Sequence, residues 1–491
     1  MKALLLIADG LGWSDVADSN AVSPETMPFL FALARKHGVA RLEASGTPVG
    51  LGDGQAGNSE AGHLTIGAGR RVPSLLETIG LAYADGRFEQ SPVWRQLAGA
   101  SCLHLVGLLS DAGVHGYWPN LIRAADVARR HGVEQVFVHA LLDGVDSQAG
   151  TAPYLLSALL AEIDKLDGVV CSTVMGRRWA CDRSGDLDVT RVLVGHLSGE
   201  HEVEAFAPAR LTSFLADGGA EKDFSCHRFD GHRFVGGGEP VLLTNHRADR
   251  TEQVAQVFSE AHPVYALVEL GEAVPLDRVF FPKQPLSEGV AFELGKHGIQ
   301  TARVAEQCKF PHVTYFFNGF NKSLGEEAVC LPSISESAIA DNPEMSAREV
   351  TGVVLKLLAE PGRRAIVANL ANADQVGHTG CIDSAREAVG VVDCEIARIH
   401  ASCQQHGWNL LITSDHGNAD AMLDAQGRPL GSHSTNPVPL VAVLASEGSG
   451  GLVSEHGSLA NVGATFLTAV GIAPPTWMEP SLILPIEQAN A

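Results

Sequence analysis

Several apolar runs in this chain end abruptly in an acid. Leu4-Leu5-Leu6-Ile7-Ala8 leads to Asp9, Ala365-Ile366-Val367-Ala368 leads towards Asp374, and Leu410-Leu411-Ile412-Thr413 leads to Asp415. Short continuous apolar runs read as strands buried on both faces, which means a parallel sheet between layers of helices. In open α/β sheets, ligands gather beyond the carboxyl ends of the strands. Residues hundreds of positions apart can therefore share one cleft. Five clusters qualify: Asp9, Ser59, Asp374 with His378, Asp415 with His416, and His433.

The 491 residues exceed what one core organises, so more than one domain is expected. The segment 1–72 holds a strand, a helix from Pro24 to His37, a Gly-rich loop at 50–58 and a helix opening at Ser59. From 73 to 283 strands such as Leu103 to Leu108, Val136 to Val138, Val169 to Val174 and Val241 to Thr244 alternate with helices such as Leu121–Arg130 and Pro153–Leu166. This βα alternation implies a second parallel-type sheet. Pro275, Pro282 and Pro285 mark a return to the first domain. Ser346 with Glu349, and Ser384 with Glu387, have the spacing of capping boxes. The second of these helices carries Val389, Val392, Ile396 and Ile399 on one face. The expected fold is α/β: a three-layer domain of 1–72 and 284–491, with a second α/β domain, 73–283, inserted into it.

A net charge of −22 argues against nucleic acid or an anionic membrane as partner, since both require basic fields. It leaves small anionic substrates open. No apolar stretch reaches the length needed to cross a bilayer. Nine scattered cysteines without a CxxC pair fit reduced thiols and a cytoplasmic location.

Aspartate and histidine suit divalent ions such as Mn, Zn or Co. Two such ions can clamp the attacking and leaving oxygens of a displacement. Asp415 and His416, adjacent at a strand end, are expected to diverge towards different ions. Ser59 lies in Gly54-Gln55-Ala56-Gly57-Asn58-Ser59-Glu60-Ala61-Gly62-His63. Glycines there admit close backbone approach to an anion, and the helix presents free N–H groups. A serine after such a loop is most often a helix cap; on a metal it becomes a nucleophile that accepts a phosphoryl group.

Four further segments accompany that loop: Asp9, Asn372-Ala373-Asp374-Gln375-Val376-Gly377-His378-Thr379-Gly380, Thr413-Ser414-Asp415-His416-Gly417-Asn418-Ala419-Asp420 and Ser432-His433-Ser434-Thr435-Asn436-Pro437-Val438-Pro439. Together they resemble the alkaline phosphatase superfamily, and within it the cofactor-independent (2,3-bisphosphoglycerate-independent) phosphoglycerate mutases, from residue 5 to about 440. The resemblance implies an alkaline-phosphatase-like domain with an inserted phosphotransferase domain. It implies one Mn ion on Asp374, His378 and His433, and a second on Asp9, Ser59, Asp415 and His416. It implies a phosphoserine at Ser59, with Asp146 and Lys309 joining the chemistry. His115, Asp146, Arg177, Arg183, Arg247, Arg250 and Lys309 match its substrate cradle, and His312 shares the lysine segment. It leans towards a monomer and a glycolytic mutase reaction. Bottom-up, paired arginines bind a carboxylate or phosphate by forked hydrogen bonds.

The departures lie in that cradle. The family's Asp-Gly-Arg-Asp reads Asp143-Gly144-Val145-Asp146 here. Its two tyrosines are Arg178 and Trp179, its Asp-Lys-Arg-Trp after Arg183 is replaced by Ser184-Gly185-Asp186-Leu187-Asp188, and a glutamate before the lysine is Cys308. Either Arg178 replaces the missing charge, or the chain is a specialised paralogue acting on another phospho- or phosphonate-bearing hydroxy acid. A phosphohydrolase, in which water cleaves the phosphoserine, is the alternative chemistry, and a metal-binding pseudoenzyme the alternative without turnover. The mutase reading expects substrate to enter between domains that close to exclude water.

Overall fold

A computed structural model describes residues 1–16, 19–181, 186–424, 426–445 and 451–485. The chain divides into two compact units, one of 1–77 with 284–491 and one of 78–283.

The first unit is built on a sheet of eight strands. Their order is Glu327–Leu331, Thr301–Glu306, Ala365–Leu370, Ala3–Ala8, Asn409–Thr413, Val438–Val443, Ala40–Glu43 and His456–Ser458. The first five are parallel, and Val438–Val443 runs against both its neighbours. Side chains alternate across a strand. Leu4, Leu6 and Ala8 therefore enter one core with Val389, Val392, Ile396 and Ile399 of helix Ile382–His406. Ala3, Leu5 and Ile7 enter another with helix Ala460–Val470. The sheet is thus covered on both faces, which explains why its central strands are predominantly apolar. Each fully buried leucine contributes about 2 kcal/mol of transfer free energy.

The second unit has its own eight-stranded sheet, in the order Val279–Phe281, Val264–Val268, Val241–Leu243, Leu103–Leu109, Val136–Leu142, Val169–Gly176, His227–Arg228 and Glu204–Ala205. The six longer strands are parallel, and His227–Arg228 turns antiparallel to Val169–Gly176.

Local expectations failed at three helix starts. The first helix begins at Pro28 rather than Pro24. Ser23 and Thr26 bond to each other, and the Thr26 hydroxyl donates to the Ala21 carbonyl, holding a turn that competes with helix. The Asp393 carboxylate then accepts from Phe29 N and Leu30 N, capping the helix from a distance of hundreds of residues. Ser384 lies inside the helix that opens at Ile382, so its spacing to Glu387 forms no cap. Ser346 stands at an N-cap position, but its hydroxyl donates to the Pro332 carbonyl instead.

Candidate active site

Three neighbouring parallel strands deliver three carboxylates. Ala3–Ala8 pairs with Ala365–Leu370 on one side and Asn409–Thr413 on the other. Asp9 follows the first, Asp374 the second and Asp415 the third, at the same sheet edge. All three are fully buried. Gly10 permits the closeness: at φ 74° it adopts a left-handed conformation, and a Cβ there would lie 2.5 Å from Asp374 Cα.

Ser59 opens helix Ser59–Ala68, but it is not the cap. Asn58 takes that role, its side chain accepting from Ala61 N at 2.9 Å. The Ser59 hydroxyl is thereby released towards the carboxylates. Its Oγ lies 2.6 Å from Lys309 Nζ, 2.9 Å from His416 Nε2 and 3.5 Å from Asp9 Oδ1. Gly62, one turn on, lets the helix rest on the Asp415 backbone, since a Cβ there would sit 2.4 Å from the Asp415 carbonyl oxygen.

The donors form two overlapping groups. Asp374 Oδ1 lies 3.3 Å from His378 Nε2 and 3.2 Å from His433 Nε2, and those two nitrogens are 3.1 Å apart. His416 Nε2 lies 3.6 Å from Asp9 Oδ1 and 3.5 Å from Asp415 Oδ2. It is also 3.9 Å from Asp374 Oδ1, which joins the groups. Asp415 and His416 therefore converge, where divergence was expected. The seven residues named from sequence meet in one place, and Lys309 sits among them, bonding Asp9 and Asp374 at 2.6 and 2.7 Å.

Charge is the dominant physical fact here. Three buried carboxylates face one ammonium, so their full ionisation would exceed the positive charge beside them. Burial pushes the Asp9 carboxyl up to about 7, with Asp415 adding to the push. Burial opposes ionisation of Asp374 too, but Lys309 and the hydrogen-bonded His378 and His433 hold it well below the carboxylate range. Burial lowers Lys309 less than Asp9 and Asp374 raise it, so it stays charged. Burial drives His416 down to about 4, so it is a neutral imidazole with a lone pair to offer. His63 Nδ1 is 3.2 Å from Asp415 Oδ2 but also 2.9 Å from the Ser59 carbonyl, its better-aligned partner. Asp415 Oδ2 is left buried without a hydrogen bond among the described residues. An orphaned anionic oxygen, the neutral imidazole of His416 and the gathered carboxylates all fit divalent cations. The ligand atoms of Asp9, Asp415 and His416 lie within 4.8 Å of one another, as do those of Asp374, His416 and His433.

Sequence reasoning assigned no role to the residues that hold these ligands. Asn369 donates to Asp9 Oδ2 at 2.7 Å, and Asn418 donates to Asp374 Oδ1 at 3.1 Å. His63 bridges Asn369 and the Ser59 turn. Asn369, a polar residue within the apolar strand Ala365–Leu370, was the available signal.

In the second unit the anion-binding candidates again follow strand ends. Arg177 is buried after Val169–Gly176 and donates to both Asp143 and Asp146, which follow Val136–Leu142. His115 Nδ1 lies 3.7 Å from Asp249 Oδ1, and Arg247 and Arg250 approach the same carboxylate at 3.1 and 3.6 Å. Asp143 and Asp249, which organise these cations, had been assigned no role. Val145 is 48% exposed. Arg178 pairs with Asp223 at 2.9 Å, an exposed ion pair worth about 0–1 kcal/mol. Arg183 lies outside the described residues.

Comparison with known proteins places this architecture. Residues 1–474 match the family model described as the metalloenzyme superfamily. The chain is 37% identical to a 2,3-bisphosphoglycerate-independent phosphoglycerate mutase of Syntrophotalea carbinolica, over 96% of each chain. It is 34% identical to that of Pseudomonas fluorescens, over 98% of each. A crystal structure of Leishmania mexicana phosphoglycerate mutase at low cobalt concentration superposes with a TM-score of 0.73 at 26% identity, covering 99% of this chain and 98% of that one. The chain belongs to the metalloenzyme superfamily and, within it, to the 2,3-bisphosphoglycerate-independent phosphoglycerate mutases. Among the described residues, no helix is long and apolar enough to cross a membrane.

Proposed function

We propose that this enzyme interconverts 3-phosphoglycerate and 2-phosphoglycerate by passing the phosphoryl group through Ser59. The observation that carries the reading is the Ser59 hydroxyl, uncapped at a helix N-terminus and held 2.6 Å from the Lys309 ammonium among three buried carboxylates. Asp374, His378 and His433 would hold one divalent ion, and Asp9, Ser59, Asp415 and His416 a second, with Mn our assignment for both. When bound, such ions polarise phosphoryl oxygens and favour the ionised form of a neighbouring hydroxyl.

The chain's own groups account for the rest. Lys309 positions the Ser59 oxygen and stabilises it once the Ser59 proton has passed to solvent. Ser59 Oγ attacks phosphorus in line, and the bond from phosphorus to the glycerate oxygen breaks. Asp146 carries a proton to that oxygen and later removes one from the other hydroxyl. His115, Arg177, Arg183, Arg247 and Arg250 retain the acid by its carboxylate between the two transfers. The second hydroxyl then takes the phosphoryl group from Ser59. We read the enzyme as a monomer without nucleic-acid or membrane partners, working in the cytoplasm on a glycolytic step; the nine unpaired thiols support a reducing compartment.

Phosphorus NMR of the Mn-loaded enzyme with 3-phosphoglycerate tests this. Appearance of 2-phosphoglycerate is expected. Inorganic phosphate alone would make the enzyme a hydrolase, and a silent spectrum would overturn the assignment of substrate.

Val145 supports a second reading, a paralogue selective for a different phosphorylated or phosphonate hydroxy acid. Its side chain is half exposed beside Asp146, where a guanidinium would be accommodated without repacking. Under that reading Val145→Arg raises activity on phosphoglycerate. No gain would leave the mutase reading alone.

A further inference from the structure

At the amino ends of the second unit's strands lies another set of donors. Cys102 and His104 open strand Leu103–Leu109, and Glu239 precedes the neighbouring strand Val241–Leu243, in which Val241 pairs with His104. The Cys102 sulfur, a His104 nitrogen and a Glu239 oxygen lie within 4.8 Å of one another. Cys102 and His104 are buried. The catalytic candidates of this unit follow the carboxyl ends of the strands, so this cluster has no place in the mutase chemistry.

We propose that Cys102, His104 and Glu239 form a separate structural metal site of the zinc class. One sulfur, one imidazole and one carboxylate make a donor set suited to zinc or cobalt rather than to magnesium or calcium. His104 also has the support that ligating histidines carry. Its Nε2 points at Glu239 Oε2, 3.0 Å away, while its Nδ1 lies 2.9 Å from His139 Nε2. His139 Nδ1 is in turn 2.8 Å from Thr173 Oγ1. With protons on both Nδ1 atoms, His104 donates to His139 and His139 to Thr173, and the His104 Nε2 lone pair faces the site. Gly236 N, at 2.8 Å, and Arg233 orient the Glu239 carboxylate.

Burial and the Glu239 charge push the Cys102 thiol up, so it is protonated in the metal-free chain. Binding therefore forms a sulfur–metal bond and releases the Sγ proton to solvent, with no change of oxidation state. Thiolate and carboxylate offset the positive charge of the ion, while Arg233 pairs with the other oxygen of the same carboxylate. His262 bears electrostatically on His104, and its buried Nδ1 has no hydrogen-bond partner among the described residues. The ion would tie the loop before Val241–Leu243 to the start of the central strand.

The test uses the full chain with exposed Cys330, Cys381 and Cys394 replaced by serine, stripped of metal, saturated with Mn and then titrated with Co²⁺. A near-ultraviolet thiolate-to-cobalt charge-transfer band is expected, because the Asp, His and Ser ligands of the main centre give none. The band should vanish in Cys102→Ser, persist in Cys308→Ser, and need about 10–100-fold more cobalt in Glu239→Gln. Should Cys102→Ser not fold, the parent protein with the Glu239→Gln and Cys308→Ser variants still decides. No band at saturating cobalt, a band that survives Cys102→Ser, or one abolished by Cys308→Ser overturns the proposal. The Thr173–His139–His104–Glu239 chain is then a proton-bridged network only.

Discussion

The Lys309 ammonium nitrogen stands 2.6 Å from the Ser59 hydroxyl oxygen and donates to it. The same nitrogen bonds Asp9 and Asp374, so one cation supports the nucleophile and neutralises its surroundings. Replacing it by methionine should lower turnover by about 10²–10³-fold, the loss seen when one preorganised donor is removed. In the metal-free protein it leaves buried carboxylates unpaired, at a cost of about 3–5 kcal/mol. Steady-state kinetics and thermal unfolding with and without Mn would check both. A metal-free stability equal to that of the parent would contradict the charge argument.

Ser59→Ala removes the atom that receives the phosphoryl group. Turnover should fall by about 10⁴-fold or more, as for other enzymes stripped of their nucleophile. Divalent metal should still bind, because six other ligands remain. Intact-mass analysis after brief exposure to phosphoglycerate should find a phosphoryl adduct on the parent chain and none on the variant.

Asp9 makes metal binding depend on pH. Its folded-state value, raised to about 7, lies above the ordinary carboxylate value of about 3.9. Its contribution to the stability of the metal-free chain is complete below about 3.9 and is lost as pH rises through 7. Metal affinity should change in the opposite sense, rising up to about pH 7 and then levelling, because the Asp9 proton must leave. Calorimetry in buffers of different ionisation enthalpy should register close to one proton released from this group at pH 6 and little at pH 8.

Asp143 organises the second unit's cations. It accepts from Ser110 Oγ at 2.6 Å, from Ser147 N and Asp146 N at 3.1 Å, and from Arg177. Burial would raise its carboxyl, but these hydrogen bonds and the guanidinium hold it below the usual range. Its stabilising effect is therefore present above the unfolded value and disappears as pH falls through the lowered folded one. Asp143→Asn should cost about 3 kcal/mol near neutrality, the price of breaking a buried pair. The gap between variant and parent melting temperatures should narrow in acid, and a constant gap would rule the carboxylate out as its source.

How much of this was legible depends on the range of the interactions concerned. Strands such as Ala3–Ala8 and helix Ser59–Ala68 announce themselves through apolar runs and turn residues, which act over a few neighbours. The start of the first helix did not, because its cap is Asp393, supplied from another helix. Asn58 displaced Ser59 as cap through a bond to Ala61, a local matter that composition left ambiguous.

By itself, the sequence determined which residue types stand just past each buried strand, and so which side chains could serve as ligands, nucleophile and anion clamps. Only the tertiary structure decided how they meet. It set Ala3–Ala8 between Ala365–Leu370 and Asn409–Thr413, brought Lys309 among three carboxylates, and gave Asn369, His63 and Asn418 their work of holding those carboxylates in place. Strand pairing joins segments hundreds of residues apart, and Coulomb energy depends on distance in space, not on separation along the chain.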